Sequence, residues 1–110
     1  MRDEERKRVR EEFDDAVTMT AGQLSDWLAT DGSKEAGDRN GGESTGHASG
    51  RRIVALLRAK KADLTDADHE HMRKVVGYVH RHVAQRPDGD VRDTRWRHSL
   101  MNWGHDPLDR

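Results

Sequence analysis

The chain has 110 residues, 37% charged and 32% hydrophobic, which suits one small domain with a lean core, and it has no cysteine, which excludes disulfides, thiolate zinc sites and cysteine nucleophiles. The net charge of −1 conceals a gradient: residues 1–31 carry 5 basic and 9 acidic side chains, whereas residues 51–87 carry 9 and 4. No apolar run approaches the roughly 18 residues of a membrane span, and the opening MRDEERKRVREE lacks the apolar centre of a signal peptide, so a cytoplasmic protein without a membrane partner is expected.

Arg2 to Met19 is predicted as a helix, with Val9, Phe13, Ala16 and Val17 forming a narrow apolar stripe under a highly charged exterior. Thr20 followed three residues later by Gln23 has the form of a capping box. It opens a short helix whose apolar face is Leu24, Trp27 and Leu28, with Asp31-Gly32 as its stop. Residues 31–50 hold six glycines and no large apolar side chain, which reads as a loop or linker.

A third helix is expected to start between His47 and Gly50 and to bury Ile53, Val54, Leu56 and Leu57. Thr65, with Asp68 three residues on, is the clearest N-cap. The helix it opens, about Asp66 to Arg86, gathers Met72, Val75, Val76, Val79 and Val83 on one stripe. His69 and His80 border one edge of that stripe, and His71, Tyr78 and His82 the other. Pro87 to Asp90 is a turn. A last helix from Asp93 or Thr94 to Trp103 places Trp96, Leu100 and Trp103 on one face, with Gly104 suited to the left-handed position after its end.

No alternating strand pattern and no repeat is present. The predicted fold is all-α: a compact bundle of four to five helices with a long central amphipathic helix and a C-terminal tryptophan-bearing helix. The third and fourth helices are expected to form its central antiparallel pair. Residues 1–19 are expected to be a charged, loosely attached helical extension. Residues 20–110 are then a single helical domain with a flexible glycine-rich loop at 31–46.

The segments GESTGHASGRRIVALLR, KADLTDADHEHMRKVVGYVHRHVAQRPDGD and DTRWRHSLMNWGHDP resemble the domain-of-unknown-function 3140 family. The resemblance covers about residues 18–107 and is most specific from His71 to Pro107; Ala55 and His98 depart from its pattern, where a bulkier aliphatic and an aromatic residue are expected. It implies small, mostly bacterial proteins without an established activity, some of which carry a DNA-binding label. It implies no catalytic residues.

The histidine pairs His69/His71 and His80/His82 are two residues apart, so the members of each pair leave a helix in different directions, and no histidine has another at the i,i+4 spacing of a helical zinc site. Histidines bordering a packed stripe are the simpler account, and neither a metal nor a cofactor is expected. The run Gly46-His47-Ala48-Ser49-Gly50-Arg51-Arg52 at a helix start could meet a phosphate with amides, a hydroxyl and two guanidiniums, although ordinary capping with solvated arginines explains it as well. No nucleophile motif or carboxylate pair points to an enzyme.

The leading expectation is a non-enzymatic binding protein that meets the phosphate backbone of DNA with weak sequence preference and strong salt sensitivity. Its candidate contacts are Ser49, Arg51, Arg52, Arg58, Lys60, Lys61, Arg73, Lys74 and Arg81. The alternative is a protein-protein interaction module or a self-associating structural protein anchored by Trp27, Trp96 and Trp103.

Overall fold

The computed structural model describes residues 1–36 and 44–108. Among these residues six α-helices follow in order: α1 (Asp3–Ala16), α2 (Ala21–Leu28), α3 (Asp31–Ala36), α4 (Thr45–Arg58), α5 (Asp66–Val83) and α6 (Arg95–Asn102), with a 3-10 turn at Lys61–Asp63. Among the described residues there is no strand, and no helix is long and apolar enough to cross a membrane.

Local chemistry sets most of the helix starts. The Thr20 hydroxyl accepts from the Gln23 backbone N–H at 3.1 Å while the Gln23 side chain accepts from Thr20 N–H at 2.9 Å. Thr65 and Asp68 repeat this reciprocal box at the head of α5. Ser44 caps α4 through His47 N–H, and Thr94 caps α6 through Arg97 N–H. α6 ends in a Schellman motif: Gly104 N–H donates to Met101 O, His105 N–H donates to Leu100 O, and Gly104 takes φ +82°. A side chain at Gly104 would also press within 2.9 Å of Val17.

The N-terminal helix is not a loose extension. Val9, Phe13 and Ala16 are buried, α1 lies along α5 in one of the two main helix pairings, and its polar flank is tied across to α5. Arg6 donates to Asp66 from Nε at 3.0 Å, the terminal amine reaches the same carboxylate at 3.4 Å, and Glu5 pairs with Arg73. Beneath these, Arg10 donates at 3.0 Å to Nε2 of the buried His69, whose Nδ1–H donates to Thr65 O at 2.7 Å. The stripe of α1 therefore closes the apolar stripe of α5, removing both from water.

The second main pairing is α2 with α4. The expected central pair of α4 and α5 is instead joined through side chains, Ser49 to His71 and Arg52 to Asp68. α6 touches α2, α3, α4 and α5 and so links the two pairs.

The glycine-rich stretch also differs from expectation at both ends. Residues 31–36 form α3, opened by the Thr30 hydroxyl, which accepts from Ser33 N–H at 3.2 Å, and Ser33 and Ala36 are buried. At the other end α4 already runs from Thr45. Its Gly46 and Gly50, one helical turn apart, let α6 approach, since a Cβ on Gly50 would stand 2.5 Å from the Asn102 carbonyl oxygen. Glycine here serves close packing, not chain freedom. The part of the expected loop at 37–43 lies outside the described residues.

Smaller differences follow from burial. α1 stops at Ala16 because Val17 is extended, which frees Met19 N–H to donate to Gly104 O at 3.0 Å. α5 ends at Val83, which is 39% exposed, so the apolar stripe closes at Val79. Ala55 is exposed and needs no bulk, while His98 lies against Trp27 with ring centroids 5.1 Å apart.

Candidate functional site

Lys74, Tyr78 and Arg81 follow one another at i, i+4 and i+7 on α5, and this spacing aligns them on one face. That face floors a groove whose walls are the start of α4 and the side of α6. One section, about 330 Å³, is lined by Ala36, Thr45, Gly46, Lys74, Tyr78, Arg81, Ser99, Asn102 and Trp103. The adjoining section, about 450 Å³, shares Thr45 and Lys74 and adds Ser44, Ala48, Ser49, Arg52 and His71. Among the described residues, the lining holds three cations, four serine or threonine hydroxyls and no carboxylate.

Lys74 and Arg81 are exposed and have no acidic partner among the described residues. The Arg81 guanidinium folds over Gly77, where a Cβ would lie 3.0 Å from its Nη1. Arg52 is shared: its Nη2 reaches the Asp68 carboxylate at 3.3 Å. That contact adds to the Thr65 backbone hydrogen bond, the leading cause holding the Asp68 carboxyl below its usual range.

A series of near-parallel rings supports the groove from beneath. His71 stacks on Trp103, Trp103 on Tyr78 at 4.2 Å, Tyr78 on His82 at 5.2 Å, and His82 on Trp96, each pair within 14° of parallel. The Arg86 guanidinium lies over Trp96. Burial raises the Tyr78 phenol above its ordinary value, against a smaller lowering by Ser99, so the phenol stays protonated at neutral pH. Burial, then the charges of Arg52 and Lys74, push His71 down, with Asp68 partly opposing them. Its Nε2 lies 3.0 Å from the Ser49 hydroxyl, within hydrogen-bond distance.

The nine candidate contacts do not form one surface. Ser49, Arg52, Lys74 and Arg81 come together in the groove, and Arg51 is exposed on α4 outside its lining. Arg73 faces α1, where Glu5 pairs with it, and Glu70 one turn back on α5 lies 3.6 Å away. Arg58, Lys60 and Lys61 stand at or beyond the far end of α4. Lys61 there lines a different hollow together with Lys7, Arg10, Glu11 and Asp14, where the charge is mixed.

Tyr78, Thr45 and Ser99 were missed as groove residues. The 74/78/81 spacing was a legible signal for Tyr78, but Thr45 and Ser99 arrive from other helices. The tryptophans that suggested a protein anchor are occupied. Trp96 and Trp103 are buried, the Trp96 indole N–H donates to His82 O at 2.7 Å, and that of Trp27 donates to Asn102 at 2.8 Å. Among the described residues, no three His, Asp or Glu side chains are grouped to hold a metal ion.

A family model described as "Protein of unknown function (DUF3140)" matches residues 12–101, and the chain belongs to that family. The match begins within α1, whose Phe13 is part of the core. No curated protein and no solved structure matches the chain.

Proposed function

We propose that this member of the family is a non-enzymatic binding protein that holds the phosphate backbone of a nucleic acid along the α5 groove, with weak sequence preference. One observation supports the reading above others: Lys74 and Arg81, without acidic partners among the described residues, lie along a groove whose described lining has hydroxyls but no carboxylate. An uncompensated cation gains from a phosphate because binding releases the counterions condensed on the nucleic acid. Base reading has little to support it, since the one carboxamide in the described lining, Asn102, is engaged with Trp27 and Ser33. The faces of Tyr78 are stacked on Trp103 and His82, so its ring offers an edge, not a platform for a base. The reading carries a cytoplasmic location with it.

Two or three phosphate contacts, from Lys74, Arg81 and the partly engaged Arg52, set the expected strength. Affinity falls in the non-specific range of about 10⁻⁴–10⁻⁶ M at physiological salt. The slope of log K against log salt on duplex DNA is about −1.8 to −2.7, which amounts to a loss of roughly 12- to 40-fold between about 50 and 200 mM. Fluorescence anisotropy with labelled duplex and single-stranded DNA measures both. Lys74→Glu combined with Arg81→Glu is expected to abolish binding, while Arg73→Glu, on the α1 side, leaves most of it. Absence of a complex with either DNA at low salt overturns the reading, as does binding that survives the double charge reversal.

A further inference from the structure

The groove contains a titratable group that neither phosphate contact nor core packing requires in that place. His71 sits on α5 in the lining of the second section, half-buried, with its ring stacked on Trp103 at 6.4 Å and 12°. Ser49 faces its Nε2 from α4 at 3.0 Å. The charged groups around it are Arg52 on α4 and Lys74 and Asp68 on α5; from α6 it meets the Trp103 ring. Its proton is opposed first by burial and then by the charges of Arg52 and Lys74.

A phosphate resting against Arg52 and Lys74 reverses the second of these effects. The anion neutralises the two charges that repel the proton and adds a negative charge beside the imidazole. Linkage then requires reciprocity: a ligand that raises the proton affinity of His71 is itself bound more tightly when His71 is protonated. The hydrogen-bond chemistry favours the same outcome. With Nε2 unprotonated, the Ser49 hydroxyl hydrogen is committed to the ring. With Nε2 protonated, the ring donates to the Ser49 oxygen and the hydroxyl hydrogen becomes free. One proton thus adds a charge and makes a second donor available in the groove lining.

We propose that His71 makes this groove a proton-linked phosphate site: as a phosphate settles against Arg52 and Lys74, the imidazole takes up a proton, turns its Nε2–H to Ser49, and releases the Ser49 hydroxyl hydrogen to the ligand. The proposal rests on the phosphate-binding reading and names the group that regulates it.

The probe is single-stranded oligothymidylate without a terminal phosphate, because neither its diesters nor its bases titrate in the range used. Any pH dependence then belongs to the protein. At fixed salt, affinity is expected to rise about fivefold between about pH 7.5 and about pH 5.5. His71→Gln, which keeps a partner for Ser49 but cannot titrate, is expected to bind with little pH dependence. In the unaltered protein, the NMR titration midpoint of the His71 ring is expected to move up on adding the oligonucleotide, a readout that stands even if the variant fails to fold. Binding without pH dependence, an unchanged dependence in His71→Gln, or a His71 midpoint unmoved by bound ligand each overturns the role of His71 and leaves the groove reading intact. No binding at any pH overturns both.

Discussion

Trp27 donates its indole N–H at 2.8 Å to the side-chain oxygen of Asn102, joining α2 to α6 across 75 positions of sequence. The same oxygen accepts from the Ser33 hydroxyl, and the Asn102 amide donates to the Ser33 carbonyl at 2.9 Å. One carboxamide that is 1% exposed therefore holds three helices together and satisfies groups of α3 that would otherwise be buried without partners. Asn102→Ala removes all three bonds and strands those groups, at an expected cost of about 3–4 kcal/mol. Urea denaturation measures it. A loss below about 1 kcal/mol would mean that water replaces the amide and that the node is not structural.

The crossing of α4 over α6 depends on the absence of a side chain at one position. Gly50→Ala places a methyl group 2.5 Å from the Asn102 carbonyl oxygen and 2.7 Å from a Leu28 methyl, and the backbone atom cannot yield. A destabilisation of about 3 kcal/mol or failure to fold is expected. Gly22→Ala is the control: nothing lies within 4 Å of its Cβ, and it should stabilise α2 by about 0.5 kcal/mol. Thermal melts of the two variants should move in opposite directions.

Phe13 tests whether α1 belongs to the fold. The residue is 2% exposed in the core cluster. Phe13→Ala is expected to cost about 3–5 kcal/mol, whereas a loosely attached extension would lose almost nothing. The same urea denaturation, with α1 protection followed by hydrogen exchange, distinguishes the two.

Stability should depend on pH through two histidines of the ring series. Burial lowers His82, against a smaller raising by the Trp96 backbone, and its buried Nε2 has no hydrogen-bond partner among the described residues. His71 is lowered by burial and by neighbouring cations. Because the folded state binds these protons less readily than the unfolded state, their contribution is complete above about pH 6.5 and declines as the pH falls below it toward the lowered folded values. The urea midpoint should be level near neutrality and fall on acidification. His82→Phe, which keeps a ring in the stack but cannot titrate, should flatten part of that fall. Equal slopes in the two proteins would show that His82 is protonated without cost.

The charged residues illustrate how far local pattern reaches. The i, i+4, i+7 run of Lys74, Tyr78 and Arg81 was readable because three positions on one helix share a face by geometry alone. Nothing local distinguished Lys74 from Arg73: one residue turns the helix by about 100°. That rotation sends Arg73 to Glu5 on α1 and leaves Lys74 in the groove. The glycines illustrate the converse. Gly46 and Gly50 looked like linker residues by composition, yet both face the end of α6: a Cβ on Gly50 would stand 2.5 Å from the Asn102 carbonyl oxygen, and one on Gly46 3.2 Å from the Trp103 indole nitrogen.

What the sequence determined by itself was everything governed by neighbours a few positions apart: the all-helical class, the capping boxes at Thr20 and Thr65, the left-handed Gly104, and the apolar stripes of α1 and α5. Those features follow from backbone hydrogen bonding and a 3.6-residue period, which any short window contains. The tertiary structure decided which stripe meets which, which cations are cancelled by carboxylates and which face an open groove, and which histidine stands beside Ser49. These are relations between residues tens of positions apart, and only the packing of α1 on α5, and of α6 between the two helix pairs, brings them within the few ångströms over which charges and hydrogen bonds act.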